Sequence, residues 1–223
     1  MSIRHLFFRN SRRRRGFTFV ELLVSMGVMA VILGITMSGG PQAITRISLA
    51  DNTYQAELLV REVQLQGSSI NSLDNTFGGA GVYFNRATST DIVKFKDRAI
   101  FNPTRAISLG NGLYDSVAPD EKVSVFRTSN RNVIGVLCVA TKSPSVFYCN
   151  NDNPPTIPVI NTLTISFNRP KQTAHIYVNE ATTTDYAAAC IQFDSFRSPE
   201  KGYVKSLLVY KSGMVTKKLG TCK

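Results

Sequence analysis

One carboxylate stands inside an apolar run. Residues 17–38 read FTFVELLVSMGVMAVILGITMS, with no Lys, Arg or Asp and only Glu21. A carboxylate within a membrane span costs about 2–4 kcal/mol at the centre and less near an end. Such a residue is functional by default, and the chemistry it offers is charge pairing. A second reactive set is Cys138, Cys149, Cys190 and Cys222, all far beyond that run. A third lies at the C-terminus, where Lys201, Lys205, Lys211, Lys217, Lys218 and Lys223 surround Tyr203 and Tyr210. Lysines interleaved with aromatic rings suit a DNA strand, through phosphate contacts and base stacking. The same lysines equally suit a solvated basic edge that keeps sheets from associating.

Catalytic patterns do not emerge. There is no Gly-x-Ser-x-Gly, no His-Glu-x-x-His and no phosphate-binding loop. The histidines are His5 and His175, and no Cys-x-x-Cys pair occurs, so no metal or other cofactor is expected. Asn150-Asn151-Asp152-Asn153-Pro154-Pro155 is polar enough for calcium but lacks spaced carboxylates, and reads as a Pro-ended loop. The chain is not expected to be an enzyme.

The elements that position these residues begin with charge. The 223 residues carry a formal +11. Residues 1–16 hold six arginines and no acid, so the remainder carries 11 − 6 = +5. As a helix, the apolar run would extend about 33 Å, enough for a bilayer core of about 30 Å. Basic residues beside a span stay on the cytoplasmic side. That places residues 1–16 inside the cell and everything beyond about Pro41 outside, with the N-terminus in. All four cysteines then meet an oxidising compartment, which favours two disulfides. Four cysteines allow three pairings. A turn signal, Lys142-Ser143-Pro144-Ser145, lies between Cys138 and Cys149 and suits a stapled hairpin. Cys190 would then pair with Cys222 and bracket the last two strands.

The N-terminus admits three readings. A cleaved secretory signal has a shorter apolar stretch and no acid at its start, although Met37-Ser38-Gly39-Gly40 offers a small-residue site. A plain signal anchor explains the basic flank and the span but not Glu21. The stretch Arg15-Gly16-Phe17-Thr18-Phe19-Val20-Glu21-Leu22-Leu23-Val24 resembles the prepilin signature of type IV pilins and of the related pseudopilins of type II secretion and competence systems. The likeness covers about 25 residues, and its glycine, aromatic, glutamate and apolar run stand at fixed spacing. It implies cleavage between Gly16 and Phe17 on the cytoplasmic side, N-methylation of Phe17, and a role for Glu21 in filament assembly. Cutting there discards all six leader arginines and creates a cationic amine, since an α-amino group titrates near about 8. In an apolar surrounding Glu21 pairs strongly with such an amine, in its own subunit or a neighbour. The start of a helix also favours an anion.

Four segments follow: a leader over 1–16, a membrane half-helix over 17–38, an amphipathic half over 42–75, and a β-rich head over 76–223. Gly39-Gly40-Pro41 predicts a kink or break between the two helical halves. Ile44, Ile47, Tyr54, Leu58, Leu65 and Leu73 recur at helical spacing and predict the face that lies on a sheet, ending by 71–75. Gly78-Gly79-Ala80-Gly81 reads as a loop. Strands are predicted at 81–85, 91–96, 122–128, 132–141, 146–149, 159–168, 174–179, 190–194, 203–211 and 214–219. Residues 122–127 and 162–167 alternate as half-buried strands do. Lys211-Ser212-Gly213-Met214 predicts a hairpin turn.

The expected class is α+β: a long N-terminal transmembrane and amphipathic helix packed on a C-terminal antiparallel β-sheet domain, the pilin fold that the resemblance implies. A Cys190–Cys222 closure would resemble the C-terminal region of many pilins. The implied function is a structural subunit of a type IV pilus-like filament or a type II secretion pseudopilus. It would rest in the cytoplasmic membrane among lipid before joining an extracellular or periplasmic filament. Its implied partners are other subunits, the prepilin peptidase and methyltransferase, and an inner-membrane assembly platform. At 223 − 16 = 207 residues the mature chain exceeds many major pilins, which points to a minor subunit. The alternative is a tip pilin that captures DNA or adheres to a surface ligand.

Overall fold

The structure is a computed structural model, and it describes residues 17–69, 77–98, 110–116, 121–129, 132–141, 146–150, 159–168, 172–181, 186–195 and 203–222. Two compact units divide the chain, Met1–Ala43 and Ile44–Lys223. One helix, α1 (Phe19–Ser68), enters both. The sequence predicts a break at Gly39-Gly40-Pro41, but helix is assigned through it. Proline removes one backbone bond and crowds the carbonyl four residues back, at about 3 kcal/mol. Neighbouring turns of a long helix still propagate, because only nucleation is costly.

In the first unit, residues 17–37 are exposed throughout. Phe19–Met37 has a mean hydropathy of 2.2 and none of it is buried. Its hydroxyls turn back on the helix: Ser25 donates to the Leu22 carbonyl, and Thr36 to those of Ile32 and Leu33. This segment is long and apolar enough to cross a membrane.

Among the described residues of the second unit, ten strands form two antiparallel sheets rather than one. They are β1 (Phe77–Asn85), β2 (Asp91–Arg98), β3 (Lys122–Arg127), β4 (Asn132–Ala140), β5 (Tyr148–Cys149), β6 (Thr162–Asn168), β7 (Ala174–Val178), β8 (Ala188–Ser195), β9 (Val204–Tyr210) and β10 (Val215–Leu219). The first sheet has the order β3-β2-β1-β6-β7 and the second β10-β9-β8-β4-β5. Each predicted strand has a counterpart. Splitting into two sheets lets both lay an apolar face on α1. Leu49, Ala56, Val60 and Val63 of the helix share one core with Val82, Phe84, Ile92, Ile165 and Phe167 of the first sheet. Ile191, Phe193, Leu207 and Val209 of the second complete it.

Which helix face is buried differs from expectation. Ile44, Ile47, Tyr54, Leu58 and Leu65 are exposed, and Leu73 lies outside the described residues. The buried face is small and partly polar: Thr45, Ser48, Leu49, Asn52, Thr53, Ala56, Glu57, Val60, Val63 and Gly67. Small residues allow close approach, and a Cβ on Gly67 would stand 2.9 Å from Phe167 Cβ. The polar ones are matched. Asn52 accepts from Ser129 N–H at 3.1 Å and donates to its carbonyl, and Asn132 donates to Ser48 Oγ at 2.9 Å. The helix ends at Ser68, earlier than expected. There Ser68 and Ser69 hydroxyls take the Leu65 and Gln66 carbonyls, competing with further helix.

Glycines 78, 79 and 81 stand in β1, not in a loop. A Cβ on Gly81 would lie 2.7 Å from the Ile165 carbonyl, and one on Gly79 2.6 Å from that of Phe167. Close packing, not turning, selects these residues. β3 is exposed on both sides apart from partly buried Phe126, since it is the sheet edge. β6 is buried on both faces, because residues 110–116 cover its outer side. The Lys211–Met214 turn closes as predicted, with Gly213 at φ +87°.

Candidate functional site

The start of α1 is a built cap. Phe17 and Thr18 precede the helix, and Thr18 Oγ1 accepts the Glu21 N–H at 3.3 Å. Thr18 is thus the N-cap and Glu21 the third helical residue, the Thr-x-x-Glu pattern of a capping box. That spacing was present in the sequence and went unread. Glu21 sits in the first turn, where free N–H groups and the helix dipole favour a negative charge. Its side chain is exposed among exposed apolar neighbours, and so is Phe17. Gly16 lies outside the described residues.

A capped helix start bearing an acid, followed by an unburied apolar segment, is a stem built to be covered by something else. Residues 11–37 match the family described as the prokaryotic N-terminal methylation motif. The chain carries the type IV pilin and pseudopilin signal. This signal supports a pilin-like or pseudopilin subunit, which assembles with other such subunits after prepilin peptidase processing. Together with the apolar helix it fits membrane anchoring followed by a filament. No curated protein and no solved structure matches the chain.

Beyond the signal, the four cysteines form two bonds, Cys138–Cys149 and Cys190–Cys222. Both sit on the face of the second sheet turned away from α1, around Leu208. Cys138 is the cross-strand neighbour of both Cys149 and Cys190, so one row of the sheet carries the cluster. The second bond ties residue 222, beyond β10, to the central strand β8.

The C-terminal lysines do not form one surface. Lys205 and Lys217 fall on the same side of the sheet as Leu207, facing α1, whereas Lys218 pairs with Ser206 on the other. Lys211 is at the turn, and Lys201 and Lys223 lie outside the described residues. Lys217 is committed: it meets Glu57 Oε2 at 2.6 Å and stands 4.8 Å from the Tyr54 ring centroid. Glu57 also takes Arg61 at 2.9 Å. Burial pushes the Glu57 carboxyl up, but the hydrogen bonds and charges of Lys217 and Arg61 outweigh it and hold it below its ordinary value. Tyr203 and Lys205 do converge, with a cation the sequence did not flag. Arg46 lies 4.4 Å over the Tyr203 ring and donates to its hydroxyl at 2.7 Å. Together with Leu49, Val204, Leu219 and Gly220 they line an open cavity of about 410 Å³, with no carboxylate among the described lining residues.

One buried acid also escaped the sequence. Asp97 is fully buried on β2. Desolvation pushes its carboxyl up to about 7, helped by the charges of Glu121 and Asp115 and opposed by backbone bonds from Gly112 and Asn111. Glu121 is raised by burial too, although it accepts from the Arg98 and Asp115 N–H groups at 2.7 and 3.0 Å. Among the described residues, no group of three His, Cys, Asp or Glu side chains is placed to hold a metal ion. His175 is exposed on β7, with its ring stacked 6.4 Å from that of Tyr177. Of the polar stretch 150–155, Asn150 is buried and its N–H donates to the Leu137 carbonyl; residues 151–155 lie outside the described residues.

Proposed function

We propose that the chain is a minor pilin or pseudopilin, a structural subunit of a type IV pilus-like filament or a type II secretion pseudopilus. The observation that carries this reading is the methylation motif over residues 11–37, laid on an apolar helix that the rest of the described chain leaves unburied. The peptidase cuts between Gly16 and Phe17, Phe17 is N-methylated, and the new amine pairs with Glu21. Before assembly the subunit spans the cytoplasmic membrane once, N-terminus inside, and the assembly platform then draws it into the filament. There neighbouring stems replace lipid, and the register in which amine and carboxylate meet is favoured, because an unpaired charge in that setting is costly. Further support comes from the exposed row Ile44, Ile47, Tyr54, Leu58 and Leu65 on the second half of α1, an apolar stripe available to another stem.

Glu21→Ala is the test. Membrane insertion should be unchanged, and recovery of the subunit in sheared filaments should fall at least tenfold. Recovery at wild-type levels would show the carboxylate to be dispensable and remove this mechanism.

A second reading, DNA capture by a tip subunit, is favoured by the convergence of Arg46, Tyr203 and Lys205. A hollow lined by two cations and an aromatic ring suits a phosphodiester strand. It is tested by retardation of DNA with the full chain in neutral detergent across a salt series. Retardation that fades with salt and is lost in Arg46→Glu/Lys205→Glu supports it; no shift at low salt ends it.

A further inference from the structure

Residues 110–116 run over the outer face of the first sheet. Cross-strand register puts Asp97, Gly79 and Asn168 in one row of that face, and Phe95, Gly81 and Ser166 in the next. Glycines at 79 and 81 lower the floor. The segment settles onto it, with Gly112 N–H donating to Asp97 Oδ2 at 2.8 Å. Leu113 is buried, and the Tyr114 ring lies 5.1 Å from Tyr83 and 5.7 Å from Phe95. Glu121 ties the far end, accepting from Asp115 N–H and returning its own N–H to the Asp115 carbonyl.

What lies beneath is poorly satisfied. Asp97 Oδ1, Ser166 Oγ and Asn168 Oδ1 are buried without a hydrogen-bond partner among the described residues. Among the described residues, the charges acting on Asp97 are those of Glu121 and Asp115, both negative. β1 presents only glycines to it, and β7 presents Tyr177, whose phenol is raised by burial and then by the Asp97 charge. Arg98, the next residue on β2, acts on Glu121. Closing the segment therefore strips water from a carboxylate and returns the backbone N–H groups of Gly112 and Asn111 but, among the described residues, no cation.

We propose that residues 110–116 are a proton-controlled strap, held down while Asp97 is neutral and released as it ionises. Lifting the strap readmits water to Asp97, so the open form binds its proton with ordinary carboxyl affinity and the closed form more tightly. The closed form holds the extra proton. Closure is therefore complete below about pH 4, weakens about tenfold per pH unit up to about 7, and levels off above. The opened surface is the glycine floor of β1 with Ser166 and Tyr177 beside it.

The test is amide hydrogen exchange of the full chain in detergent micelles at pH 5, 6, 7 and 8, corrected for intrinsic exchange. Protection of Gly112, Leu113 and Tyr114 should fall about tenfold per unit from pH 5 to 7, while helix amides over 53–63 hold steady. Asp97→Asn should flatten that fall. Asp115→Asn keeps the buried acid and removes one like charge, so its fall should end at lower pH. Flat protection in the wild type, or an unchanged fall in Asp97→Asn, would overturn the proposal. If Asp97→Asn does not fold, an unchanged end point in Asp115→Asn would do the same.

Discussion

Thr18 and Glu21 divide the work at the head of the stem. The hydroxyl of Thr18 accepts the Glu21 N–H, and the side chain of Glu21 is exposed, open to charge pairing. Glu57 is the opposite case, an acid spent on holding α1 to β10 through Lys217 and Arg61. Its folded affinity for protons is depressed below the ordinary value of 4.5. Its contribution is thus present above about pH 4.5 and lost as pH falls through the folded value. Urea unfolding compared between wild type and Glu57→Gln should show a gap that is constant from pH 5 to 7 and narrows as pH falls below 4.5. A gap that widens in acid would contradict the pairing. Glu21 stood out in the sequence because it is the one acid in an otherwise uncharged apolar run. Glu57 did not, since its partner Lys217 is 160 residues away and only the fold brings them together.

Spacing alone misled at the scale of elements. The apolar residues of the second half of α1 recur at helical spacing, yet the helix buries its small and polar side. A sequence records that a stripe exists; it does not say whether the chain's own sheets or another molecule covers it. Ile47 and Leu65 are 68% and 67% exposed, so Ile47→Lys/Leu65→Lys should leave the unfolding free energy within about 0.5 kcal/mol of wild type. The same variant should be excluded from filaments, and normal incorporation would show that the stripe is not a stem contact. Glycine was ambiguous in a similar way. Gly78-Gly79-Ala80-Gly81 has the composition of a loop, but close approach by Phe95, Ile165 and Phe167 demands the same residue type. Gly81→Ala should therefore destabilise the head by about 1–3 kcal/mol, through overpacking, in a denaturant titration. A neutral result would restore the loop-like reading. The strands themselves were readable because alternation and turn residues are local, whereas the split into two sheets depends on pairings across the whole head.

For the whole molecule, the account is one of covering and uncovering. Sixteen residues with six arginines and no acid precede an apolar helix that none of the described residues bury, and a compact unit over 44–223 carries its own core and two disulfides. On the proposed reading, lipid covers the apolar helix first and neighbouring stems cover it later. The proposed step between the two is removal of residues 1–16, which would discard six arginines and create an amine for Glu21 to pair with. Mass spectrometry of the N-terminal peptide, after co-production with a prepilin peptidase, tests this most directly. The account predicts a peptide that begins at Phe17 and carries one added methyl group. A chain that keeps Met1, or is cut elsewhere in the same cells, would contradict it.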